Sequence, residues 1–304
     1  MTIRTSFLNR AITRSRWHPM RAQEALDGYI FIFLSLLIIG VFVLFAAGYA
    51  FYLSFTNYSG FRPPQFVGLR NYINVFRDTI ALQSFRNTLF FVVVTVPLNL
   101  ILSLATAMLL NREFRGIRFV RSAYFIPVVV SAVVTVTIFK AMYEFPDGVF
   151  NELLRFVGLK PIAWYRDKHY ALLSIMIMSL WKSTSFNSIV FLAALQDTPQ
   201  DLIDAAKVDG ANAWQRFLNV IVPHLRPVIT FVVVLSTIGG FRIFTEPYVL
   251  TQGGPENATR TIALYTYNNA FQYRMFGYAG ALSFVLLAII LLISLIQLRL
   301  SRAD

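Results

Sequence analysis

DAAKVDGANAWQRFLNVIVPHLRP, residues Asp204–Pro227, lies between two long apolar runs, yet it carries charges, a mid-segment glycine and two prolines. Just upstream, Thr198-Pro199-Gln200-Asp201 reads as a helix start. Threonine is a capping residue, proline suits the first helical position and an acid in the first turn suits the helix dipole. The pattern predicts a helix to about Val208. Gly210 then breaks it, because glycine enters the left-handed conformation without steric cost. A second helix follows, with Trp214, Leu218 and Ile221 at helical spacing and Phe217 beside them. Pro223 and Pro227 are expected to redirect the chain into the next apolar run. Two short helices at a fixed angle, tied to an apolar span, suit the transmission of a push. An amphipathic helix resting on lipid headgroups is the other reading. It accounts for the aromatic face, but not for the elbow or for Asp201, Asp204 and Asp209, which anionic lipid repels.

Outward from this segment the composition sets the class. Of 304 residues, 57% are hydrophobic and 14% charged, and mean hydropathy is +0.60. A soluble domain carries roughly a quarter charged residues, so the solvent here is lipid. A helix rising ~1.5 Å per residue needs about 20 apolar residues to cross a hydrocarbon layer of ~30 Å. No charge occurs between Asp27 and Arg62, between Arg86 and Arg112, or between Arg274 and Arg299. Shorter charge-free runs fill Arg121–Lys140, Tyr170–Trp181 and Pro227–Phe241. The period-two alternation of a membrane barrel is absent. The expectation is an all-α integral membrane protein with spans near 29–54, 84–110, 119–143, 170–195, 228–249 and 277–298. A basic tail at 1–26 and a short tail at 299–304 flank them, and a loop at 197–226 joins the fourth and fifth.

Six spans put both ends on one side. With that side cytoplasmic, inner segments hold 14 basic residues and outer segments nine, the sign of the positive-inside bias. The inner basics sit at helix ends, where anionic headgroups attract them. The net charge of +12 therefore reads as membrane topology rather than nucleic-acid binding. The first apolar run is too long for a signal-peptide core and reads as a retained helix. The chain has no cysteine, which excludes disulfides and thiolate chemistry. His18, His169 and His224 stand apart without metal spacing, and Lys182-Ser183 lacks the glycines of a phosphate loop. No catalytic residue and no cofactor site is expected in this chain. FVGLRNYINVF (Phe66–Phe76) and GVFNELLRFVGL (Gly148–Leu159) read as turns feeding short amphipathic helices on the outer face. Pro97 and Pro127 fall inside the second and third spans and are expected to bend them.

Asp204-Ala205-Ala206, Gly210 and Val220-Ile221-Val222-Pro223 resemble the cytoplasmic loop of permease subunits of binding-protein-dependent ABC importers. The family pattern is Glu-Ala-Ala, three residues, Gly, nine residues, then aliphatic-x-aliphatic-Pro. Aspartate stands here for the usual glutamate. The resemblance runs from about Asp27 to Leu298. SLWKSTSFN, FLAALQDTPQDLIDAAKVDGA and YVLTQGGPENAT, with Gly253-Gly254-Pro255, are similar to the carbohydrate branch and its six-helix MalF-like members. It implies the type I importer permease fold in a bacterial inner membrane. It also implies a second permease, two cytoplasmic ATPases that use ATP and Mg, and an extracytoplasmic binding protein. In such systems the loop helix docks on the ATPase, with the acid at the Asp204 position paired to a basic residue there.

Charges within spans need explaining, since one at mid-bilayer costs at least ~2.5–3.5 kcal/mol on insertion scales. Lys182 lies deep in the fourth span beside Ser183, Thr184, Ser185, Asn187 and Ser188. In the fifth, Arg242 and Glu246 are spaced to pair, just after Gly239-Gly240, where a break is expected. One reading is a hydrophilic pathway for a sugar or polyol, with Trp181 and Tyr248 offering rings. The other is contact with the second permease, which suits the Arg242–Glu246 pair better. Rival functions are the same machine carrying glycerol phosphate or a polyamine, and an ion-coupled carrier. The carrier would call for inverted repeats and buried carboxylates, but no repeat is visible and Glu246 is the one acid within a span.

Overall fold

The computed structural model describes residues 19–302. The basic tail with Arg4, Arg10, Arg14 and Arg16 therefore lies outside the described residues. Two units are distinguished, one ending at Tyr52 and the other starting at Leu53. The first consists of α1 (Pro19–Ile39), a π-helical turn at Gly40–Phe45 and α2 (Ala46–Ser54) up to Tyr52, in one uninterrupted apolar helix. Side chains along its apolar part are exposed, as a lipid-facing span requires.

The second unit continues with α3 (Arg70–Arg77), α4 (Thr79–Leu110), α5 (Ile117–Val129), α6 (Ala132–Met142), α7 (Val149–Phe156) and α8 (Ala171–Gln196). Then come α9 (Gln200–Val208), α10 (Ala213–Arg216), a π turn at Phe217–Ile221 and α11 (Val222–Phe241). Last are α12 (Thr245–Leu250), α13 (Ile262–Tyr267), a π turn at Asn268–Gln272 and α14 (Phe276–Arg302). Five helical runs are long and apolar enough to cross a membrane, and the bent pair α5–α6 makes a sixth. Among the described residues there is no strand, only an isolated bridge between Thr56 and Phe66.

α4 and α8 form the central pair. The buried stripe of α4 is mostly small polar groups with two apolar ones among them: Ser84, Thr88, Phe91, Thr95, Asn99, Ser103 and Ala107. Small side chains let helices approach closely in lipid, where association depends on packing rather than water expulsion. Ser84, Thr88 and Thr95 satisfy their hydroxyls on carbonyls one turn back, at 2.7–2.8 Å. α11 packs across the same helix at Gly240, where a Cβ would lie 2.9 Å from Val92 Cγ2. At one end of the bundle, Phe139, Tyr143, Trp164 and Ile175 form an aromatic-rich core. Leu110, Phe191, Leu195 and Leu225 close the other end of the bundle.

The two short amphipathic helices expected in Phe66–Phe76 and Gly148–Leu159 are present as α3 and α7. Pro97 leaves α4 unbroken, whereas the third span breaks outright: α5 and α6 meet at 102°. The break falls three residues after Pro127, where Val130 is extended at ψ 131° and Ser131 caps α6 by accepting from the Val134 amide. Proline, three β-branched valines and a capping serine each disfavour a continuous helix at that point.

Candidate functional site

The Asp204 segment folds as two helices around an elbow. α9 ends in a Schellman motif: the Gly210 amide donates to Lys207 O at 3.0 Å and the Ala211 amide to Ala206 O at 2.9 Å. Gly210 holds φ +79°, with nothing within 4 Å of a would-be Cβ. Conformation, not space, therefore demands glycine here. Asn212 starts α10 with a reciprocal capping box, accepting from the Gln215 amide while Gln215 accepts from the Asn212 amide. Three expectations are corrected. Thr198 does not cap α9: its hydroxyl donates to Ala194 O at 3.3 Å, and Pro199 holds the cap position. Pro223 and Pro227 do not redirect the chain, because helix continues from Ala213 to Phe241. The π turn at Phe217–Ile221 absorbs the mismatch that Pro223 creates by lacking an amide hydrogen.

α9 has no buried residue. Asp204 and Ala205 are exposed and Ala206 is half-buried, with Leu202 and Val208 exposed beside them. Asp204 Oδ1 accepts from Lys207 Nζ at 2.7 Å and Gln200 Nε2 at 3.2 Å. These bonds hold its carboxyl below the usual aspartate range, Lys207 being the larger cause. The segment thus presents an ionised acid and small or apolar side chains on a helix with little packed against it.

At the other end of α11 lies a cavity of about 530 Å³, lined from α4, α8 and the α11–α12 break. One wall is a polar network. Asn99 Nδ2 donates to Ser183 Oγ at 2.7 Å and Thr184 Oγ1 at 3.3 Å. Asn187 Nδ2 donates to Asn99 Oδ1 and to Ser236 Oγ. Phe91, Phe186, Leu235 and Phe244 supply apolar lining. Convergent amides and hydroxyls beside aromatic faces suit a hydroxyl-rich ligand.

The expected pathway residues divide. Lys182, Asn187 and Glu246 line the cavity; Trp181, Ser185 and Tyr248 do not. Trp181 packs on Phe139, Ser185 Oγ donates to Trp181 O, and Tyr248 stacks on Phe244. Arg242 and Glu246 form no ion pair within 4.0 Å, since α11 ends at Phe241 and the two are not on one continuous helix. Lys182 Nζ donates instead to Val130 O at 2.8 Å. Asn99 and Ser236 were not singled out from the sequence. Asn99 does have a signal there, as the one amide side chain deep in the second span, close after Pro97.

Residues 100–303 match the family model for the binding-protein-dependent transport system inner membrane component. The probable ABC transporter permease protein YesP of Bacillus subtilis is 37% identical over 92% of this chain and 91% of its own. The lactose transport system permease protein LacF of Rhizobium radiobacter is 35% identical, over 91% of this chain and 94% of that one. The trehalose/maltose transport system permease protein MalF of Thermococcus litoralis is 34% identical, over 93% and 96%. In a crystal structure of a bacterial alginate ABC transporter, one chain superposes with TM-score 0.82 at 19% identity, covering 93% of this chain and 96% of that one. The family model covers two thirds of the chain and these relatives are more than 30% identical over nearly all of it, so this chain belongs to the binding-protein-dependent transport system inner membrane components.

Proposed function

We propose that this chain lines the translocation pathway of an ATP-driven importer for a saccharide or related polyol. Its working partners are a second permease, two cytoplasmic ATPases that bind ATP and Mg, and an extracytoplasmic binding protein. Both termini and the α9–α10 loop face the cytoplasm. One observation carries this reading: the helix leaving the elbow runs unbroken from Ala213 to Phe241 and ends at the cavity. At ~1.5 Å per residue it is a lever of about 40 Å, joining an exposed hook to a polar chamber. The ionised Asp204 offers a charge-assisted contact to a basic group on the ATPase, and Ala205 and Ala206 allow close approach. Movement of the hook as the ATPases close shifts Gly239, Gly240 and Arg242 at the cavity wall. That supplies the bistable element which coupling between two sites needs.

The cargo class follows the relatives whose names specify lactose and trehalose/maltose, and the amide–hydroxyl network suits such ligands. The deciding experiment is uptake into proteoliposomes holding the complete assembly with its binding protein. Saccharide uptake should require ATP and survive collapse of ion gradients. Gradient-driven uptake without ATP identifies an ion-coupled carrier. ATP-driven uptake confined to glycerol phosphate or a polyamine overturns the saccharide assignment alone.

A further inference from the structure

The third span and Lys182 each present a cost that the other removes. At the 102° break, Val130 leaves the helical conformation, so its carbonyl has no partner one turn ahead. Within a bilayer no water can satisfy an orphaned carbonyl, and broken helices persist only where neighbours do so. Lys182 lies eleven residues past the start of α8, or ~17 Å along its axis, near the middle of the hydrocarbon layer and too deep to snorkel. Its ammonium meets the Val130 carbonyl at 2.8 Å. It also lines the cavity, as does Glu246 from α12.

We propose that Lys182 is a positioning residue: it pins the break in the third span from the fourth, and so fixes the shape of the cavity through which cargo passes. Val128, one residue past Pro127, lines the same cavity, so the bend is part of the cavity wall. An ammonium held by one carbonyl at the wall of a polar cavity can also exchange partners as the chamber fills. This links occupancy of the chamber to the angle between α5 and α6. This role rests on the proposed pathway but not on which cargo is carried.

The absence of cysteine makes the test direct. Phe119 and Ile138, exposed on the two arms of the break, are replaced by cysteine and spin-labelled in the complete assembly in lipid nanodiscs. Straightening the break lengthens the distance between them on the order of 10 Å. Lys182→Met should shift the distribution toward the longer distance and cut uptake on the order of tenfold. Lys182→Arg, which keeps a cationic donor, should restore the short distance. If Lys182→Met does not reach the membrane, Lys182→Gln decides, with an intermediate distance expected. An unchanged distance in the Met or Gln variant overturns the proposal, even where uptake is lost, because Lys182 would then act on cargo rather than on the bend.

Discussion

Tyr265 donates a 2.6 Å hydrogen bond to Asp78 Oδ2 across 187 residues of chain. Tyr278 donates to the same oxygen at 2.7 Å, while Oδ1 accepts from the Ile80 and Ala81 amides and so caps α4. A single carboxylate thus fixes the start of the second span to α13 and to the last span. Partial burial alone would raise the Asp78 pKa, but the two phenols and two amides outweigh it and hold the carboxyl below its ordinary value. The Tyr265 phenol is pushed up to about 12, by burial first and by Asp78 second.

Asp78→Ala should therefore lower the thermal stability of the detergent-solubilised assembly. Loss of the cap alone costs roughly 0.5–2 kcal/mol, and the two orphaned phenols add to that. The acid dependence has a definite sign. A carboxyl with a folded-state pKa below its unfolded value stabilises fully above the unfolded value, about pH 4, and loses that contribution as pH falls further. Melting temperature measured from pH 7 down to pH 3 should fall more steeply in the parent than in Asp78→Asn. Parallel curves would show that Asp78 does not carry the acid sensitivity.

The Gly210 elbow separates folding from coupling. Valine at φ +79° is costly by roughly 1–2 kcal/mol, which is concentrated in the exposed loop rather than in the bundle. Gly210→Val and Asp204→Arg should both reach the membrane at parental levels and abolish uptake. The ATPase should co-purify poorly with Asp204→Arg. Normal uptake by both variants, at normal expression, would defeat the lever assignment.

What the sequence made legible follows from chain-local physics. The apolar run lengths of the spans, the glycine elbow at Gly210 and the break after Gly239-Gly240 are signals carried by residues close together in the chain. The misreadings arose where a distant or compensating element decides. Pro223 reads locally as a chain-breaker, but a π turn just before it keeps the helix intact. Arg242 and Glu246 have pairing distance only if their helix continues, and it stops between them. The partner of Lys182 is a backbone carbonyl 52 residues away, to which side-chain patterns are blind.

The Asn99–Asn187 network tests the chamber. Asn187→Leu removes the donor to Asn99 and Ser236 while keeping volume. Side-chain hydrogen bonds within membrane bundles average about 0.6 kcal/mol each, so the loss in stability should be small. A hydroxyl-rich cargo, by contrast, loses a fixed polar wall. Uptake should drop sharply while the melting temperature moves by only a few degrees. Equal retention of uptake and stability would remove the network from the pathway.

Gly277 offers the sharpest packing test. It begins the last span and is buried against the turn after α2, where its amide donates to Tyr58 O at 3.2 Å. A Cβ there would lie 1.9 Å from Thr56 O and 3.1 Å from Leu53 O, both backbone atoms that cannot rotate away. Thr56 is itself held by the Asn71 amide, which donates to Thr56 O and Ser54 O at 2.8 Å. Relief therefore means shifting the whole α14 start rather than one side chain, at a cost above the ~1–3 kcal/mol usual for overpacking. Gly277→Ala should reduce the amount of folded permease in the membrane severalfold. By comparison, Gly239→Ala, where no atom lies within 4 Å of the added carbon, should be tolerated. Equal membrane levels of the two variants, measured by quantitative blotting of membrane fractions, would show that the last span docks less tightly than this contact requires.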